Sequence, residues 1–155
     1  MISIPIPRLV IVSPCYNEEA ILAYSARELT TLLERLIAAG KILPTSHVLY
    51  VNDGSRDRTW ELIEELHREN HFIDGLCLAG NVGHQPAIMA GMMTARDFAD
   101  AVVTIDADLQ DDLAAVEEMI DRYLEGYDIV YGVKVSRIAD PLLKRTSALA
   151  FYRLQ

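Results

Sequence analysis

The chain has 155 residues, 51% hydrophobic and 24% charged, enough for one domain with a proper core and too few for two ordinary ones. That balance excludes a disordered tract, and a formal net charge of -9 excludes a general nucleic-acid binder, whose footprint is a basic patch. The charge is uneven: from Lys134 onward, Lys134, Arg137, Lys144, Arg145 and Arg153 face one acid, Asp140, so an acidic body carries a basic tail.

Short apolar runs alternate with longer helical periods. Leu9–Ser13 is a strand, followed by a helix over Glu18–Ala39 in which Leu22, Leu29, Leu32, Leu33 and Leu36 share a face and Gly40 is the stop. Val48–Asn52 is the second strand; Asp57 caps a second helix with the sequence RTWELIEELHREN. A weaker strand over Gly75–Leu78 leads to a third helix, with Pro86 in its first turn, running to Phe98. Ala101–Ile105 is the fourth strand, Leu113–Leu124 the fourth helix and Asp128–Tyr131 a fifth strand, and Pro141 opens a last helix. Such alternation predicts an α/β fold, a mainly parallel sheet with helices on both faces. Residues 1–155 form a single domain without repeat, low-complexity segment or linker.

Cys15 and Cys77 form no C-x-x-C pair, so the simplest reading is a reduced, cytoplasmic chain. The start, MISIPIPRLVIVSP, has neither basic n-region nor long apolar h-region. No run approaches the ~18 apolar residues of a membrane span. The end, SALAFYRLQ, stops inside a helical pattern without a capping signal, which suggests the N-terminal portion of a longer protein.

In parallel sheets ligands bind beyond the carboxyl ends of the strands, and here those ends are polar: SPCYNEEA, VNDGSRDRT, LAGNVGHQPA and DADLQDD. Asp106 and Asp108, two residues apart in an extended chain, would point the same way about 7 Å apart. At an effective dielectric near 20 their repulsion is roughly 2 kcal/mol. Mg²⁺ or Mn²⁺ would remove that cost, binding through one or two carboxylates and substrate phosphates, with Gln110 as a third oxygen. The other reading of these acids is helix capping. Asn52–Ser55 is either an ordinary turn or a site where Asp53 accepts from a base N–H and Gly54 permits close backbone approach. The loop GNVGHQ either turns its amides to a ligand or is a flexible connection. Taken alone, His84 suits helix-start or packing duty better than catalysis, Tyr16 suits core and stacking equally, and His47, His67 and His71 look like surface residues. Neither G-x-x-x-x-G-K-[ST] nor, after the first strand, G-x-G-x-x-G is present. Phosphates would therefore be held by metal and basic side chains.

Together SPCYNEE, VNDGSRDRTWELI, GNVGHQPAIMAGM, TIDADLQDD and YGVKVSR resemble, in order, the family 2 glycosyltransferases, nucleotide-sugar enzymes of the GT-A fold. GHQ and DADLQD look most like members that glycosylate a polyprenyl phosphate, such as dolichol-phosphate mannosyltransferases and bactoprenol-phosphate glucosyltransferases. The resemblance implies that Pro14, Tyr16, Asn17, Glu18, Asp53, Gly54 and Asp106 form the nucleotide pocket and that Asp106, Asp108 and Gln110 surround the metal. Lys134 and Arg137 would face the phosphates and join Asp106 and Asp108 in catalysis. Similar sequences often continue DADLQDP, whereas Leu113 follows Asp112 here, which shifts the helix start and spares the metal residues.

The implied reaction is an inverting transfer of a hexose from a UDP-glucose- or GDP-mannose-type donor to a lipid-phosphate acceptor, with Mg²⁺ or Mn²⁺ and no nucleic acid. Leu142, Leu143, Leu149, Ala150 and Leu154 gather on one side of a helical projection. That helix either lies on an anionic membrane or packs on the rest of the protein. The resemblance favours the cytoplasmic face of a membrane and leaves a homo-oligomer open. Three rivals stand beside it. One is a soluble family 2 enzyme with a sugar hydroxyl acceptor, and another is a non-catalytic nucleotide-binding module. The last is a haloacid dehalogenase-type phosphatase, disfavoured because its D-x-D follows the first strand.

Overall fold

The computed structural model describes residues 4–132. In chain order it forms β1 (Leu9–Cys15), α1 (Leu22–Ala38), β2 (His47–Asn52), α2 (Thr59–Glu69), β3 (Ile73–Cys77), α3 (His84–Ala95), β4 (Ala101–Thr104) and α4 (Ala114–Leu124). The four strands make one sheet in the order β3-β2-β1-β4, parallel at every pairing. Val12 is opposite Leu49 on one side and Thr104 on the other. The chain thus winds outward from β1 through β2 to β3, then crosses back to place β4 on β1's other edge.

Because side chains alternate along a strand, each strand feeds two cores. Leu9 and Ile11 of β1 and Val48 and Tyr50 of β2 pack with Leu29, Leu33 and Leu36 of α1, Ile63 of α2, and Val116 and Ile120 of α4. The intervening Val10, Val12, Leu49 and Val51 pack with Ala87 and Ala95 of α3. Helices therefore cover both faces. Every residue of β1 and β2 is buried, as continuous apolar runs in a parallel sheet require. The Tyr50 hydroxyl placed there lies 2.9 Å from Ser25 Oγ, whereas Ser13 Oγ of β1 and His47 Nε2 of β2 are buried without a hydrogen-bond partner among the described residues. At the surface Arg35 of α1 lies 3.3 Å from Glu117 of α4, and Lys41, just beyond α1, lies 2.8 Å from Glu117 and 2.7 Å from Asp121.

Several boundaries differ from the sequence expectation. Residues 19–21 form turns, so α1 begins at Leu22 rather than Glu18. The α3 helix begins at His84, leaving Pro86 in its first turn, and ends at Ala95, short of Phe98. Asp57 does cap α2: its Oδ1 accepts from the Thr59 amide at 3.0 Å and the Thr59 hydroxyl at 2.6 Å. Asp128–Tyr131 is not a strand. Ile129 and Tyr131 are 70% and 82% exposed, and among the described residues no ladder receives them; a β-branched run becomes a strand only where a partner takes its amides. His47 is not a surface residue. It opens the interior strand β2, is 7% exposed, and stacks on Phe98 at 5.6 Å between ring centroids. The helix expected from Pro141 and the amphipathic tail lie outside the described residues. No helix among those described is long and apolar enough to cross a membrane.

Gly91 lets α3 lie close on the sheet. A Cβ there would stand 2.5 Å from Val12 Cγ1 and 2.8 Å from Val51 Cγ2. Gly91→Ala gains up to about 1 kcal/mol of helix propensity but overpacks two branched side chains, a cost of about 1–3 kcal/mol. The expected result in urea denaturation is a net loss of about 1–2 kcal/mol; unchanged stability would mean that α3 can lift off the sheet freely.

Candidate active site

The cleft lies where the topology reverses, beyond the carboxyl ends of β1 and β4 and beside the turn after β2. It has a volume of about 260 Å³. Pro14, Cys15, Tyr16 and Glu18 line it from β1 and its loop, Asp53 from the β2 turn, and Asp106, Ala107 and Asp108 from the loop after β4. Asn81, Gly83, His84 and Ala87 close it from the start of α3. Among the described residues lining it there is no Lys or Arg, while Glu18, Asp53, Asp106 and Asp108 are all acids.

The acidic stretch after β4 is a turn rather than the extended chain expected. The Leu109 amide donates to the Asp106 carbonyl at 3.1 Å, and Leu109 has φ +51. That turn still delivers both Asp106 and Asp108 to the cleft. The acids divide their labour. Asp112 Oδ1 accepts from the Ala114 amide at 2.9 Å and caps α4, which begins at Ala114 rather than Leu113. Asp108 Oδ1 accepts from the Gln110 amide at 3.2 Å, which orients the carboxylate. The Gln110 side chain is exposed and does not line the cleft.

Glu18 stands in the same field as these acids. Desolvation raises its carboxyl pKa, and Asp108, Asp57 and Asp106 raise it further. Burial pushes the Cys15 thiol far up, with Glu18 adding to the shift, so Cys15 is a packing residue rather than a nucleophile. Desolvation also raises Asp57, but hydrogen bonds from the Thr59 side chain and amide and the Glu19 amide outweigh it and leave that carboxyl below the ordinary range.

Two expected pocket residues have structural duties instead. Asn17 does not line the cleft. Its amide donates to Ser55 Oγ at 3.0 Å and its Oδ1 accepts from the Arg56 amide at 2.8 Å. The Glu18 amide reaches Thr59 Oγ1 at 2.8 Å and the Glu19 amide Asp57 Oδ2 at 3.2 Å, so the NEE and GSRDRT motifs are sewn together. Gly54 also lies outside the lining; the backbone it approaches is the chain's own, at Gly80 and Asn81. In the GNVGHQ loop, the amides of Val82 and Gly83 face Asp53. Asp53 keeps one lone pair on each oxygen, so it can still accept from a ligand. His84 opens α3 as expected, and also places Nε2 3.5 Å from Asp106 Oδ1. Asn81 and Gly83 were not singled out from the sequence, where they stand in a loop read either as turning its amides to a ligand or as a flexible connection. Lys134 and Arg137 lie outside the described residues.

Among the described residues no three of His, Cys, Asp and Glu are grouped as a metal cluster. Two carboxylates on one side of a cleft nevertheless suit Mg²⁺ or Mn²⁺, which take further oxygens from substrate phosphates and water.

The glycosyl transferase family 2 profile matches residues 10–153; the chain belongs to that family. It is 47% identical over 148 residues to an uncharacterized glycosyltransferase, YkoT, of Bacillus subtilis, covering 96% of this chain and 44% of that protein. It is 36% identical to the bactoprenol glucosyl transferase of Shigella phage SfV, over 69% of this chain and 34% of that one. It is also 36% identical to an undecaprenyl-phosphate 4-deoxy-4-formamido-L-arabinose transferase of Pseudomonas paraeruginosa, over 86% and 37%. The chain thus spans less than half the length of these relatives. Among solved structures, S. aureus TarS 1-349 in complex with UDP-GlcNAc aligns with TM-score 0.53 at 18% identity, over 88% of this chain and 38% of that one. The shared architecture is the GT-A type.

Glu18 supplies a stability test. Its raised carboxyl pKa means that the folded state binds the proton more tightly than the unfolded state. The destabilising contribution is therefore absent at low pH and present above the folded pKa. Glu18→Gln is expected to raise the melting temperature at pH 7 and to leave it unchanged near pH 3, measured by calorimetry. Equal gains at both pH values would remove the electrostatic explanation.

Proposed function

We propose that this chain is the donor-binding part of a metal-dependent, inverting glycosyltransferase that moves a hexose from a nucleoside-diphosphate sugar to a polyprenyl phosphate at the cytoplasmic face of a membrane. The observation that carries the reading is the convergence of Glu18, Asp106 and Asp108 on one cleft at the sheet's switch point. Support for the donor class comes from the family, and for the acceptor from the names of the bactoprenol and undecaprenyl-phosphate relatives.

A diphosphate entering a cleft lined by four carboxylates is repelled by each of them, at roughly 2 kcal/mol for a charge about 7 Å away. Asp106 and Asp108 would hold Mg²⁺ or Mn²⁺ together with that diphosphate, without Gln110, whose side chain lies outside the cleft. When bound, the cation supplies Lewis-acid stabilisation to the charge that grows on the leaving nucleotide. Pro14 and Tyr16 would form the platform for the base, with Asp53 accepting from its N–H. Lys134 and Arg137 would offset repulsion between acceptor phosphate and diphosphate. The acceptor brings its own nucleophile: a phosphate monoester with a second pKa near 6 is already an anion at pH 7, so attack on the anomeric carbon requires no protein base.

The test is transfer by the full-length protein from labelled UDP-glucose or GDP-mannose to undecaprenyl phosphate in detergent with Mn²⁺. Label is expected in the solvent-extracted lipid, and Asp108→Ala should lower the rate by about 100-fold or more. Label on a sugar hydroxyl would identify the soluble-acceptor enzyme instead, and no transfer by the folded full-length protein would sink the reading.

A further inference from the structure

Two neighbouring residues of the turn after β2 grip the loop that leads into α3. Asp53 is 3% exposed and its carboxylate is shared: Oδ1 accepts from the Val82 amide at 2.7 Å and Oδ2 from the Gly83 amide at 3.0 Å. Its own amide donates to the Cys15 carbonyl at 2.9 Å, which fixes the grip to the end of β1. Gly54, at φ +64, touches the same loop through backbone. A Cβ there would stand 2.5 Å from both the Asn81 nitrogen and the Gly80 carbonyl carbon. Little else restrains this loop. Gly80, Asn81 and Val82 are exposed, so burial contributes little to their order.

What hangs on the grip is one wall of the cleft. Asn81, Gly83 and His84 line it, and His84 faces Asp106 across 3.5 Å. We propose that Asp53 and Gly54 form a clasp that positions the 80–83 loop and His84 against Asp106, and that through this wall the clasp sets affinity for the nucleotide-sugar donor. The proposal rests on the donor-site reading above. It makes Asp53 a positioning residue, whatever it also offers a base, and assigns the NDGS turn a task that Gly54 shares without reaching the cleft.

Variants separate this from direct base recognition. Asp53→Asn removes the charge and turns an amide donor toward a backbone N–H. Gly54→Ala keeps the Asp53 carboxylate and acts through backbone, by strain at φ +64 and by pressing on Gly80 and Asn81; His84→Ala in that background tells a displaced wall from a shifted Asp53. The full-length protein and both variants are examined by amide hydrogen exchange without nucleotide, and by titration with UDP-glucose and GDP-mannose in Mn²⁺. Exchange at Val82 and Gly83 should accelerate about tenfold in both variants, and donor affinity should fall about tenfold in both, as for loss of one charge-assisted bond. His84→Ala alone should weaken the donor while preserving amide protection, and should add less than about twofold in the Gly54→Ala background.

Unchanged exchange at 82–83, wild-type affinity in Gly54→Ala, or a full His84→Ala effect in that background would each overturn the clasp's role. Should Gly54→Ala unfold, exchange in Asp53→Asn decides alone. A folded wild-type protein that binds neither sugar nucleotide overturns the donor-site reading and the affinity claim with it, while exchange still decides the clasp.

Discussion

Because β1 hydrogen-bonds to β2 on one edge and to β4 on the other, whatever follows those strands must meet at one end of the sheet. Parallel pairing points the three carboxyl ends the same way, and the crossing through α3 returns the chain to β1's open side. The crevice at that reversal belongs to the connectivity before any side chain is chosen. Buried apolar runs through β1 and β2 fix the register that holds it. The polar residues immediately after those runs are then the first to reach solvent, and they are the ones that line the cleft.

Electrostatics supplies the second constraint. Glu18, Asp53, Asp106 and Asp108 share a small space, and folding has settled their charges in different ways. Asp53 accepts hydrogen bonds from two amides of the chain itself. Asp108 takes one amide, Asp106 lies near His84, and Glu18 responds by holding its proton more tightly. On the proposed reading, a cleft of this composition would favour a diphosphate that arrives with a cation.

The α/β class, the four strands and the helices on both faces were legible because buried strands and amphipathic helices write different periods into the sequence. The fifth strand was not, since Ile129 to Tyr131 carry strand-like chemistry while strand formation depends on a partner that local sequence does not encode. His47 was misplaced for a related reason. A histidine at the mouth of a strand has the same local signature whether the strand is central or at an edge. At the site, the strand-end rule pointed to the segments and to Asp106 and Asp108, and the resemblance implied Pro14, Tyr16 and Glu18; all five line the cleft. Asn17 and Gly54 were recognised as important, but their work is between loops: a left-handed asparagine and a positive-φ glycine are signals of backbone need that sequence alone cannot distinguish from ligand contact. Asn81 and Gly83 carry no such signal in the sequence, and their place in the cleft wall comes from the fold.

The site's motifs therefore serve two ends, building the cleft and furnishing it, and the central claim concerns the furnishing. Its most direct test is calorimetric titration of this chain with UDP-glucose and GDP-mannose, each with and without Mn²⁺, beside Asp108→Ala. Binding of one nucleotide sugar that requires the metal and is lost in the variant is the expected result. Binding that is indifferent to Mn²⁺ and to Asp108, in a chain shown to be folded, would contradict it.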